Sequence, residues 1–416
     1  MTTSSDIVIV GASLCAALAA QTLREEGFEG RVLLLGAEPH RPYERPPLSK
    51  GYLQGSTERE KVFVHPDGWY AEHDVDLRLE VEVTAVDRPA GEVVLADGTR
   101  LPYGQLLLTT GARPRLLDVE GSELDGVYTL RRLGDSEAIR SAFARVAEAG
   151  PGRVVIVGGG WIGLETAAAA RAAGAEVTVL EQDRLPLLRV LGPEMAQVFA
   201  DLHRAHGVDL RCGAGVAAIT GQQGRVSGVR LTDGSHLAAD CVLVGVGVVP
   251  RTELAEAAGL QVRGGVVVDP HLRTEDPRVF AAGDVANAYS LPLGRHVRVE
   301  HWANARRQGA VAGRSMLGQD AVDPRPPYFI TDQNDLGMEY TGYVGADGYE
   351  RVVVRGDLVA REFVAFWMAD GRVLAGMNVN VWDVNDQLER LVLSGATVDA
   401  ARLADPSVPI EELAGR

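Results

Sequence analysis

The run Gly158-Gly159-Gly160-Trp161-Ile162-Gly163 places glycine at the first, third and sixth positions of a G-x-G-x-x-G pattern. Each glycine has a separate task in holding a dinucleotide. Gly158 allows a tight turn out of a strand, Gly160 lets backbone approach a pyrophosphate, and Gly163 lets a helix pack closely on the sheet. A helix opening at Trp161 and Ile162 would add free N–H groups and a partial positive charge. Glu181 ends the next apolar run, where a carboxylate accepts hydrogen bonds from an adenosine ribose. A carboxylate there repels a 2′-phosphate, so NADH is expected over NADPH. Arg184 and Arg189 lie close enough in sequence to weaken that preference.

A second, degenerate copy is Gly11-Ala12-Ser13-Leu14-Cys15-Ala16. Ser13 and Ala16 replace the second and third glycines, and both are small enough to keep backbone near a phosphate. The ribose acid is displaced as well. Gly36 stands at the strand end, and Ala37 and Glu38 follow.

The elements that must carry these turns repeat. Ile7-Val8-Ile9-Val10-Gly11 resembles Val154-Val155-Ile156-Val157-Gly158. Each run leads into an alanine-rich helical stretch, residues 16–26 and 162–173, and then into a second apolar run, residues 32–35 and 177–180. That is strand–helix–strand twice, the start of a parallel sheet each time. Residues 93–95 before Asp97-Gly98, and 229–231 before Asp233-Gly234, read as hairpin arms. The stretches 106–111, 241–245 and 279–284 read as buried strands ending in glycine. The last of these looks set to rejoin the first fold, which makes the second fold an insertion. After Pro324-Arg325-Pro326-Pro327 short β-rich runs (351–354, 362–367) and a helical stretch (384–394) predict a mixed, mostly antiparallel third domain.

Composition excludes several classes. At 416 residues the chain is too long for one core. Its net charge of −16 argues against nucleic acid as a main partner. No apolar run approaches the roughly 20 residues of a membrane span. The polar start, residues 1–6, has no signal-peptide core, so a cytoplasmic location is expected. Cys15, Cys212 and Cys241 are far apart and form no Cys-x-x-Cys, which argues against a disulfide reductase. Each is expected to be a small buried side chain.

With both halves in hand, the chain resembles the FAD-dependent ferredoxin reductases of the glutathione-reductase-like superfamily, which serve bacterial cytochrome P450 and aromatic-ring dioxygenase systems. Apoptosis-inducing factor is a more distant relative. The resemblance covers nearly the whole chain and is most specific in Arg45-Pro46-Pro47-Leu48-Ser49-Lys50, 158–165, 279–285 and 299–310. It implies an α/β chain with two Rossmann-type folds: an FAD domain (1–113 and 247–323), an inserted NAD domain (114–246) and a C-terminal α+β domain (324–416).

The resemblance also implies roles. Lys50 matches the family lysine near flavin N5, paired with the glutamate that Glu165 matches. A cation there stabilises anionic reduced flavin. For FAD it implies Gly11, Ser13, Leu14, Cys15, Ala16, Ala37, Glu38, Arg45, Lys50, Val83, Thr110, Gly111, Ala112, Arg131, Gly283 and Asp284. Val299, Glu300, His301 and Trp302 resemble the stretch beside the isoalloxazine ring, and a tryptophan in the core is the alternative for Trp302. For NAD it implies Gly158, Gly160, Trp161, Ile162, Gly163, Glu165 and Glu181. Val246 and Gly247 belong to a turn resembling the one that links the two folds.

The implied partner is a [2Fe-2S] ferredoxin, with no metal held by the chain itself. Such ferredoxins are usually acidic, so an acidic reductase needs a local basic patch. Arg295, His296, Arg298, Arg306, Arg307 and Arg314 are candidates; solvated arginines are the bland alternative. Many relatives have tryptophan where this chain has Ile330, within Tyr328-Phe329-Ile330-Thr331-Asp332-Gln333, which leaves the electron exit route open. NADH oxidase or peroxidase chemistry and a flavin-binding regulatory role are the competing readings.

Overall fold

Unbroken β-branched and leucine-rich runs are what strands need when both sheet faces are covered. In the computed structural model, which describes residues 6–148, 150, 152–345 and 348–413, they form the inner strands of two five-stranded parallel sheets. Residues 1–5, most of the polar start read above, lie outside the described residues. The described chain divides into two units, Met1–Glu44, Arg59–Arg113 and Val249–Pro327 in one, Arg45–Glu58, Pro114–Val248 and Tyr328–Arg416 in the other.

In the first unit Ile7–Val10 pairs with Val32–Leu35 on one side and Gln105–Leu108 on the other; all four residues of the central strand are buried. Val75–Arg78 and Val279–Ala281 complete the sheet, again in parallel. The chain leaves this unit at Arg113 and returns at Val249, so the last strand is supplied after the insertion. Helix Leu14–Glu25 follows the first strand, and helix Trp302–Met316 lies against it. Their close approach falls at Gly309, where an added Cβ would sit 2.6 Å from the Cys15 carbonyl oxygen. Strands Val83–Asp87, Glu92–Leu95 and Arg100–Pro102 form the expected antiparallel ribbon around Asp97-Gly98.

The second unit repeats the plan. Arg153–Val157 lies between Glu176–Glu181 and Cys241–Val244, with Asp209–Cys212 and Val127–Tyr128 at the edges, all parallel. Helix Trp161–Ala172 opens at Gly160. Val216–Gln222, Arg225–Leu231 and His236–Ala238 form a second antiparallel ribbon. The C-terminal part is a five-stranded antiparallel sheet in the order Tyr328–Gln333, Leu336–Gly342, Arg372–Val379, Glu362–Ala369, Arg351–Asp357. Helix Asn385–Ser394 buries Leu388 and Leu391 against it. This sheet groups with the second glycine turn.

Candidate functional site

At the second turn the three glycines meet three different constraints. Gly158 has φ +108, and a Cβ there would lie 2.4 Å from the Gly245 carbonyl oxygen, so the strand can turn only with glycine. At Gly163 a Cβ would lie 2.0 Å from the Gly158 oxygen, which holds the helix tight on the strand. Gly160 differs: its Cβ direction is open for 4 Å, and it starts a 12-residue helix with no side-chain cap. Open space over uncapped N–H groups is what a pyrophosphate needs.

Glu181 ends the adjoining strand as expected. Its carboxylate accepts from the Gly159 N–H at 2.7 Å and from the Asp183 N–H at 2.8 Å, so it braces the glycine loop. Arg189 is engaged by Asp183 at 2.7 Å, and Arg184 is exposed. The Trp161 ring packs on Phe329 at 4.7 Å and Phe199 at 5.6 Å, while Ile162 is 41% exposed. Gly247 has φ +97, and Val246 packs against the core of this fold.

The first turn has the same geometry in spite of its substitutions. Gly11 has φ +109, and a Cβ would lie 2.4 Å from the Thr109 oxygen. Ser13 is extended and caps nothing with its side chain, while Leu14, Cys15 and Ala16 are buried behind it. The displaced acid has a steric cause. A side chain at Gly36 would meet the Ala12 Cβ at 2.5 Å, so the strand end cannot carry a carboxylate. Ala37 is exposed, and Glu38 accepts from the Tyr43 hydroxyl at 2.6 Å.

Gly283 follows the returning strand, its N–H held by the Gln308 side-chain oxygen at 2.8 Å. Asp284 sits in the same 3-10 turn. Trp302 begins its helix, and its indole Nε1 is buried without a partner among the described residues. A buried donor left unmade is costly, and an acceptor on a bound cofactor would complete it. Asn304 donates to the Val299 oxygen, and the Ala303 N–H donates to His301 Nδ1. Thr110 donates to the Arg251 oxygen at 2.7 Å. Gly111 has φ +69, Ala112 is buried and Val83 half-buried. The residues expected around FAD do not all fall in one unit. Arg45, Lys50 and Arg131 belong to the second.

There the Arg45–Glu58 segment is anchored by side chains. Arg45 donates to the Arg131 oxygen at 3.1 Å, Ser136 to the Leu48 oxygen at 2.8 Å, and Tyr52 to Glu137 at 2.6 Å. Pro46 and Pro47 stiffen the short turn before Lys50. Lys50 Nζ reaches Glu165 Oε1 at 2.7 Å, although Glu165 is only 4% exposed. Ser49 donates to the other carboxylate oxygen at 2.5 Å, and Thr331 to Oε1 at 2.6 Å. A buried carboxylate is stable only when so satisfied. The sequence supplied Lys50 and Glu165; their hydroxyl partners could have been suspected only from the presence of a buried acid.

The candidate docking arginines are not bare positive charges. Arg298 bonds Glu300, Arg306 lies 3.7 Å from Glu44, and Arg307 donates to the Pro326 oxygen and lies 4.0 Å from Asp323. Arg314 bonds Glu26 at 2.8 Å, and Arg295 is exposed. Arg306 also stacks over Trp302 at 4.7 Å. The three cysteines are free. Burial, with the nearby Asp284 charge, raises the Cys15 thiol well above its ordinary range, and burial pushes Cys241 up to about 12. No group of three or more metal-ligating side chains occurs among the described residues, and no helix there is long and apolar enough to cross a membrane.

The pyridine nucleotide-disulphide oxidoreductase profile matches residues 5–309, and a reductase C-terminal profile matches residues 328–414. The chain is 37% identical to putidaredoxin reductase of Pseudomonas putida, over 99% of this chain and 97% of that one. It is 39% identical to the ferredoxin–NAD(+) reductase component of the anthranilate 1,2-dioxygenase system of Burkholderia cepacia, over 97% and 98%. A solved covalent complex of putidaredoxin reductase with putidaredoxin superposes with TM-score 0.94 at 36% identity, covering 99% of this chain and 98% of the other.

Proposed function

The chain belongs to the pyridine nucleotide-disulphide oxidoreductase family, and from that premise we propose that it is an NADH-dependent ferredoxin reductase serving a cytochrome P450 or a ring-hydroxylating dioxygenase. One observation carries the reading. Two separate parallel sheets each end their central strand in a glycine at φ near +108 and open an uncapped helix there. One chain therefore offers two dinucleotide sites, which an enzyme passing electrons from NADH to FAD requires. Bound FAD supplies the conversion of a hydride's electron pair into single electrons.

The rest is work for the chain's own residues. Gly160 and the helix start behind it cradle the NADH pyrophosphate, and Glu181 selects against a 2′-phosphate. Gly11, Ser13 and the Gly283–Asp284 turn hold FAD. Lys50, paired with and aimed by Glu165, stabilises the reduced cofactor electrostatically. The FAD fold comprises 1–113 and 247–323, the NAD fold 114–246 and the C-terminal domain 324–416, and the enzyme acts in the cytoplasm.

The acceptor is a [2Fe-2S] ferredoxin. Of the basic residues, Arg306 and Arg307 are the pair we assign to docking, in competition with their own acidic partners. Stopped-flow mixing tests the whole reading: NADH should bleach the bound flavin, and candidate ferredoxins should reoxidise it far faster than oxygen does. Fast oxygen reoxidation with no response to ferredoxin would favour an NADH oxidase instead.

A further inference from the structure

Glu165 is the end of a longer chain of buried polar groups, all within the second unit. Its Oε1 takes the Thr331 hydroxyl at 2.6 Å; Thr331 Oγ1 takes the Gln333 amide at 3.1 Å; the Gln333 oxygen lies 2.8 Å from His203 Nε2. His203, Gln333 and Thr331 are each at most 1% exposed. Thr331 and Gln333 point inward from one strand two residues apart, and His203 comes from helix Leu188–Ala205.

The direction of every proton in this chain follows from its end. A carboxylate only accepts, so Thr331 must donate to it. The Thr331 oxygen then takes the amide N–H of Gln333, which turns the amide oxygen toward His203. His203 must therefore carry its proton on Nε2, leaving Nδ1 bare. Nδ1 is indeed buried without a partner among the described residues. Burial, opposed by the Gln333 bond and aided by nearby His206, holds the His203 imidazole below its ordinary range. A second proton at Nδ1 would be buried and unpaired, so His203 stays neutral. The titratable groups beside the chain are Lys50, on Glu165, and His206, itself 3.4 Å from Asp335, next to His203.

We propose that His203 and Gln333 are positioning residues: they fix the Thr331 hydroxyl as a donor to Glu165, and so hold the carboxylate in the orientation that aims Lys50. Without them two soft joints open. The terminal torsions of glutamine and glutamate are broad, and the hydroxyl of Thr331 rotates freely. Lys50 sits on a flexible four-carbon stem and follows its partner. The three locking groups come from a helix of the inserted fold and a strand of the C-terminal sheet. This gives that sheet a part in the chemistry without any contact to a reacting atom. The inference rests on the reductase reading for its kinetic consequence, but not for the chain's geometry.

The test uses FAD-loaded enzyme. Thr331→Val should lower the limiting rate of flavin reduction by about tenfold at unchanged NADH affinity, the worth of one charge-assisted hydrogen bond. Gln333→Leu and His203→Leu should lower it in the same direction. Thr331→Ser and His203→Gln, which keep the donors, should restore it. Combining Thr331→Val with His203→Leu should cost no more than Thr331→Val alone, since both break one chain. Nitrogen-15 histidine NMR, with His203 assigned by its loss in His203→Gln, should show a neutral Nε2–H ring at pH 7. A charged or Nδ1–H ring, additive rate losses, or losses confined to NADH affinity would each overturn the proposal. If the wild-type flavin is not reduced by NADH at all, the reductase reading fails, and the NMR result still decides whether the chain is polarised as described.

Discussion

Glu181, the residue proposed to read the ribose, is held first by backbone. Its two hydrogen bonds to Gly159 and Asp183 fix the carboxylate at the strand end before any nucleotide arrives. The expected outcome is selectivity for NADH. Glu181→Ala should reduce the kcat/KM ratio of NADH over NADPH roughly ten- to a hundredfold, the range of one or two hydrogen bonds to a charged group. An unchanged ratio would remove Glu181 from specificity. The cysteines make the opposite case at the same scale. Cys15 and Cys241 are buried and their thiols are held protonated, so neither can act as a nucleophile. Native enzyme should consume at most one equivalent of a thiol reagent at pH 8, at half-buried Cys212, with no loss of flavin reduction. Rapid inactivation would revive the disulfide chemistry that the family name suggests.

Helix and strand are locked together at the second turn by the absence of one methyl group. At Gly163 a Cβ would overlap the Gly158 carbonyl oxygen, and backbone cannot move aside as a flexible side chain can. Gly163→Ala should therefore destabilise the second unit by about 1–3 kcal/mol, as overpacking does. It should raise the KM for NADH by shifting the phosphate cradle, while FAD content stays the same. Thermal unfolding and flavin absorbance read the two effects separately. The first turn reaches the same backbone with Ser13 and Ala16, because Gly11 alone carries the positive φ and a second close approach is supplied by Gly309 on another helix.

Over the whole molecule the acidic balance sets both partner and acid stability. With net charge −16 and the proposed docking arginines tied to Glu44, Glu300 and Asp323, attraction of an acidic ferredoxin would have to be local. Charge reversal at Arg306 and Arg307 should raise the apparent KM for ferredoxin and leave NADH reduction intact. Acid stability turns on aspartates such as Asp276, which is 7% exposed. Burial raises its carboxyl, but the Arg278 N–H and the Arg88 guanidinium outweigh this and leave it below the usual range. A depressed carboxyl stabilises the fold above its unfolded value, about pH 4. That contribution is lost as pH falls through the folded value. The melting temperature should drop below about pH 4, and Asp276→Asn should flatten that limb.

The local periodicities were sufficient for the framework. Alternation of apolar runs, glycine turns and alanine-rich stretches put the two strand–helix–strand fingerprint units within one or two residues of where they lie, while strands such as Arg225–Leu231 and Arg351–Asp357 run three or four residues beyond the stretches read for them. Even the interruption of the first fold could be read, because Val279–Ala281 repeats the pattern of a buried strand ending in glycine. These features are legible because they are set by neighbours in sequence. What tertiary structure alone decided were pairings over more than a hundred residues. Lys50 and Ser49 meet Glu165, 115 and 116 residues further along the chain, and Thr331 reaches the same carboxylate from the C-terminal sheet. Why Gly36 displaces the ribose acid is equally invisible in sequence, since the obstacle is the Ala12 methyl on a different turn. A buried charge has to be satisfied by whatever donors the fold brings to it, and no local pattern records which those are.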